Sequence, residues 1–142
     1  MVTGLIAGII DALAAIVIYD VNPSAMFKFI ASGAFGKTAF SAGPEMIWLG
    51  VLFHFLIALF WTALYFVASP ALKLYKLSPF VLIPAYGIAI WLVMNLVVLR
   101  FSRIGAGPFE LSAALTGAAI LIFAVSLPVV LSANRYHTGR KI

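Results

Sequence analysis

Asp11 stands alone among apolar neighbours, since residues 4–10 and 12–18 carry no other charge. A carboxylate at the centre of a membrane helix costs roughly 2.5–3.5 kcal/mol on insertion scales, so it needs a partner or a task. The natural partner is His54, about ten residues into the next apolar run and at a similar depth. Asp11 shares a helix face with Gly4, Gly8 and Ala15; His54 shares one with Gly50, Ala58 and Thr62. Small residues let helix backbones approach closely, and Gly4 and Gly8 form a small-xxx-small pair. Two ionisable groups on such faces imply either a proton- or cation-handling pair, or a buried hydrogen bond that fixes helix register. The residues alone leave both open.

Three further polar side chains extend this constellation. Asn95 falls toward the end of the third apolar run, on the side where the helices of Glu45 and Glu110 begin. Asp20, Lys37, Arg100 and Arg103 belong to that same side. Acids and bases thus crowd one mouth, while the opposite side carries only bases. This implies a vestibule leading to Asp11 and His54, or, more simply, two glutamates stabilising the positive ends of their own helices.

Enzyme chemistry finds little support. There is no cysteine, which excludes disulfides, thiol catalysis and thiolate metal sites. Ser112, Thr116 and Ser126 are isolated, and such residues in apolar helices usually bond back to their own carbonyls. His137 lies in a basic tail, so no histidine-rich metal cluster is expected, and neither is a cofactor.

These side chains must be positioned by membrane helices. Mean hydropathy is +1.18; 65% of the 142 residues are hydrophobic and 9% are charged. Soluble domains do not show that balance. Residues 46–72, 77–99 and 111–134 contain no Asp, Glu, Lys or Arg, and each exceeds the roughly 20 residues that cross a bilayer core. With the Asp11 segment they predict spans at 2–19, 44–68, 79–99 and 108–131, a single domain filling residues 1–142. Pro44, Pro79 and Pro108 each mark a helix start, as does Pro23 after Asn22. Residues 23–36 are too few to cross and too apolar for a solvated loop, so they read as an interfacial or re-entrant helix.

The net charge of +5 suits anionic lipid headgroups, and no nucleic-acid partner is expected. Lys73, Lys76, Arg135, Arg140 and Lys141 on one side, against Lys28, Lys37, Arg100 and Arg103, place both termini in the cytoplasm. Ala42-Gly43-Pro44-Glu45 and Ala106-Gly107-Pro108-Phe109-Glu110 open two spans alike, an echo equally explained by independent Gly-Pro helix starts.

The stretch Ile30-Ala31-Ser32-Gly33, then Gly50 with His54, then Tyr86-Gly87 and Met94-Asn95 on to Phe101-Ser102, resembles small bacterial inner-membrane proteins related to YagU. The likeness covers roughly residues 4–104. Arg100-Phe101 departs from it where a proline is expected before the serine. The resemblance implies a bacterial cytoplasmic membrane location, weight on His54 and Asn95, and, through YagU, a link to acid tolerance. It implies no substrate and no reaction.

Taken together, the expectation is an all-α, four-span membrane bundle that passes protons or small cations through its polar centre. The alternative is a non-transporting structural or accessory membrane protein. Four short helices enclose little volume, and the faces bearing Gly4, Gly8 and Gly117 invite self-association, which favours a homodimer.

Overall fold

The computed structural model describes residues 1–105 and 107–139. Helices form wherever the apolar runs are long, and proline and glycine set their limits. The first, α1, covers Val2–Ile18 and ends where Asp20 adopts a left-handed φ of 48°. α2 covers Pro23–Phe35; Pro23 sits in its first turn, and Asn22 Oδ1 accepts the Ser24 N–H at 2.9 Å. Gly36, at φ 70°, stops it in a conformation that favours glycine. A single turn, α3 (Thr38–Ser41), leads into α4 (Glu45–Ala71). α5 runs Pro79–Phe101 and α6 runs Leu111–His137. No strand occurs among the described residues.

α4, α5 and α6 are each long and apolar enough to cross a membrane. α1 and α2 pass that test only together, and a bend of 115° separates them. Apolar side chains face outward along the bundle, as with Trp48, Phe60 and Phe123, a surface suited to lipid and not to water.

Several ends differ from the sequence expectation. α4 continues through Pro70 because a proline one turn from a helix end forfeits a single hydrogen bond; Lys73, at φ 55°, then turns the chain. The last helix starts at Leu111, not 108, since Glu110 is extended at φ −123° and ψ 120°. It also runs past 131, through His137.

Close approaches at small residues hold the helices together. α1 packs antiparallel on α4: a Cβ placed on Gly4 would lie 2.9 Å from Leu59, and one on Gly8 3.1 Å from Ala58. At Gly50 the carbonyl of Phe27 occupies the space of a Cβ, so α2 lies directly against α4. At Gly87 a Cβ would stand 2.8 Å from the Cα of Ile122, which sets the α5–α6 contact. Ser126 Oγ adds a bond to the Ile83 carbonyl at 2.6 Å. Beyond the middle of the bundle, Trp61, Tyr65, Leu82, Ile90, Val125, Val129 and Val130 form a packed apolar core. The other end is looser. There α2 is tied down by Lys28 Nζ to the Ala42 carbonyl (2.7 Å), and by the Arg103 N–H to the Gly33 carbonyl (2.9 Å).

Candidate functional site

The glycine stripe of α1 does more than pack. With no side chain at Gly8, its carbonyl comes within 2.8 Å of His54 Nε2. A carbonyl can only accept, so Nε2 carries the hydrogen and the neutral ring keeps its lone pair on Nδ1. Phe27 and Phe55 meet the ring edge-on, at centroid distances of 6.1 and 5.4 Å, and fix its plane. Asp11 stands three positions beyond Gly8, one helical turn along. Its Oδ2 lies 4.0 Å from the same Nε2, in ion-pair range but outside a direct hydrogen bond. The two side chains keep 21% (Asp11) and 11% (His54) of their surface accessible, so neither is sealed away.

That access comes from two cavities. An outer cleft of about 780 Å³ lies among α1, α5 and α6; Tyr19, Trp91, Asn95, Glu110 and Gly117 line it beside Asp11. An inner cavity of about 290 Å³ lies between α2, α4, α5 and α6, with His54, Phe29, Trp61 and Met94 in its walls. Asp11, Leu99 and Leu121 are the three residues that line both. These three form the partition.

The partition falls where two helices leave α geometry. In α5, residues Met94–Val98 form a π segment, and the Leu99 N–H reaches back to the Met94 carbonyl. In α6 a second π segment covers Leu121–Ser126. Pro128, two residues past it, lacks an N–H, and local π adjustment is one way a membrane helix accommodates that loss. Leu99 ends the first segment and Leu121 begins the second.

The other sequence candidates separate. Asn95 lines the outer cleft with Asp11, but its amide donates to the Trp91 carbonyl of its own helix at 2.9 Å, not to Asp11 or His54. Glu110 reaches the same cleft at its mouth and accepts a bond from Ser112 Oγ at 2.9 Å. It caps no backbone N–H with its side chain. Glu45 lines neither cavity; in the first turn of α4, it accepts the Gly43 N–H at 2.8 Å. Gly50 faces α2 and not α1. Gly4 and Gly8 are occupied by α4, and Gly117 by Trp91 Nε1, 3.1 Å from where a Cβ would sit. Gly4 and Gly8 thus face α4 within the chain, whereas Gly117, beside Trp91, borders the outer cleft.

Sequence reasoning did not single out Trp91, the leucine pair of the partition, or the two π segments. It also passed over the aromatic seam beyond the inner cavity. There Tyr86 donates its hydroxyl to the Trp61 carbonyl at 2.5 Å and packs on Tyr65 at a centroid distance of 4.7 Å. Tyr65 Oη and Ser69 Oγ, further along, are buried with no hydrogen-bond partner among the described residues. Among the described residues, no three of His, Asp and Glu converge as a metal ion requires.

No protein-family model matches the chain, and no curated protein or solved structure matches it either. The functional reading therefore rests on the geometry.

Proposed function

We propose that the chain is a four-span bacterial inner-membrane protein, of the kind related to YagU, that passes protons or small cations by way of Asp11 and His54. α1 is one of the four spans in this reading, and α2 is a re-entrant helix closing the looser end. Glu110 and Asn95 form the approach, Asp11 the exchange point and His54 the relay beyond it. The observation that carries the reading is the position of Asp11 in the partition between two cavities, with His54 Nε2 4.0 Å away on the inner side. Nε2 already carries the hydrogen it gives to Gly8, so His54 passes that hydrogen to the Asp11 carboxylate, through one intervening water or a small side-chain movement, while Nδ1 takes up its replacement. The packed core past Trp61 and Ile90 closes the opposite half, which corresponds to a conformation open at one end.

The competing reading is a non-transporting structural or accessory membrane protein. It draws on the His54–Gly8 hydrogen bond, which joins α1 to α4 without moving any proton. In neither reading is the chain an enzyme.

Purified protein in liposomes, with a pH-sensitive dye inside and an imposed potential, separates the two. Proton uptake above that of empty vesicles, abolished by Asp11→Asn with the helical content unchanged, supports passage. Uptake equal to empty vesicles overturns it. Reporter fusions at the two ends test the span count, because four crossings return the chain to its starting side; opposite compartments contradict it.

A further inference from the structure

We infer that the inner cavity binds a small organic cation, an alkyl- or arylalkyl-ammonium, whose charge is held by Asp11. The inference deepens the proposed function, resting on Asp11 and His54 as the charge-handling pair, and it concerns which cation that pair is built for. The cavity's wall is almost entirely hydrocarbon and aromatic, with Phe29, Ile57, Trp61, Ile90 and Met94 as its larger members. Among the described residues no Lys or Arg lines it, and its ionisable residues are Asp11 and His54. His54 gives Nε2–H to the Gly8 carbonyl, which the neutral ring can do, so the carboxylate has no obligatory counter-charge.

A hard inorganic cation is badly served here. Ions such as Ca²⁺ take about six to eight oxygen ligands to replace their water. This wall offers one carboxylate and one imidazole, and the hydroxyl of Ser102 is already committed to the Leu99 carbonyl at 2.7 Å. An ammonium carried on an apolar body has the opposite needs. Its hydrocarbon fills the wall, its charge meets Asp11, and Trp61 and Phe29 are aromatic residues in that wall, a type that attracts cations. About 290 Å³ is room for a molecule displacing on the order of ten waters, at about 30 Å³ each. A phenyl ring bearing a short ammonium arm is of that size.

Protonation of His54 and binding of the ligand are mutually exclusive ways of balancing one carboxylate. Around Asp11, α4 presents His54, the approach to α6 presents Glu110 across the outer cleft, and α1 presents Tyr19; Asn95 from α5 is neutral, and α2 contributes Phe29, Ile30 and Gly33 without charge. Lowering the pH adds positive charge at the histidine and removes negative charge from the acids. Affinity therefore falls as the pH is lowered.

The test is calorimetric titration of the protein in nanodiscs of zwitterionic lipid, with empty nanodiscs subtracted. The probes are benzyltrimethylammonium and its uncharged carbon counterpart, neopentylbenzene. The expected result is saturable binding of the cation, one per chain, at least tenfold tighter at pH 8 than at pH 5.5, with no saturable binding of neopentylbenzene. Asp11→Asn should lose the binding, as should Val98→Phe, which fills the cavity and leaves the carboxylate in place. Equal binding of both probes marks an apolar slot for a lipid chain and overturns the inference, as does the absence of saturable cation binding. Proton flux without cation binding leaves the passage reading standing and removes this one. Cation binding without proton flux does the reverse.

Discussion

His54 gives its Nε2–H to the carbonyl of Gly8 at 2.8 Å, and the hydrogen bond that joins α1 to α4 is therefore made by the same ring that faces Asp11. Packing and chemistry can be separated by choice of substitution. His54→Gln retains an amide N–H for the Gly8 carbonyl and abolishes titration. Its unfolding free energy in detergent should stay within about 1 kcal/mol of the native protein, while pH-dependent flux disappears. His54→Leu loses both functions and should cost about 1–2 kcal/mol. Undiminished pH-dependent flux in the glutamine variant would remove the imidazole from the route.

The partition makes a second prediction. Leu121 separates the outer cleft from the inner cavity, so Leu121→Ala should join the two and raise the proton leak severalfold in liposomes. Burying a leucine in a full core makes its truncation cost about 2–5 kcal/mol, but Leu121 borders open space on both sides and should fall below that range. A leak unchanged from the native protein, with stability equally unchanged, would show that the leucine is not a barrier.

Much of this was legible in the residues. The apolar runs and the proline positions located the starts of the long helices to within a few residues, because length and missing backbone donors act locally. The proximity of Asp11 and His54 followed from their depth and from the small residues beside each. What the sequence could not say is which neighbour a small-residue face takes. Gly50 reads like Gly8 by spacing, yet it meets α2; Gly117 reads as a packing face, yet it borders the outer cleft beside Trp91. Asn95 lines the outer cleft with Asp11, but a side chain that can reach its own Trp91 carbonyl needs no other helix. The π segments carry no residue signature beyond Pro128, and with them the leucine partition stayed hidden.

The α2 contact can be tested at one atom. A Cβ at Gly50 collides with the backbone carbonyl of Phe27, and a backbone carbonyl cannot rotate aside as a side chain can. Gly50→Ala should therefore push α2 off α4 at a cost of about 1–3 kcal/mol, the usual range for overpacking. Protease or thiol labelling at positions introduced in α2 should become faster, while the α4–α5 contact at Tyr86 and Trp61 stays intact. Unaltered labelling would mean that α2 is not held by this approach.

Two buried serines should respond to the same substitution with opposite sign. Ser69 is fully buried in the last turns of α4, and its Oγ has no hydrogen-bond partner among the described residues. A buried hydroxyl left unpaired costs about 1–3 kcal/mol, and alanine is the better helix former. Ser69→Ala should therefore raise the unfolding free energy, by about 1 kcal/mol. Ser126 is equally buried, but its Oγ donates to the Ile83 carbonyl at 2.6 Å and joins α6 to α5. Ser126→Ala removes that bond and should lower stability by about 0.5–1.5 kcal/mol. Thermal unfolding of both variants in one detergent measures the difference directly. A loss at Ser69 comparable to that at Ser126 would mean that its hydroxyl is engaged in the folded membrane protein.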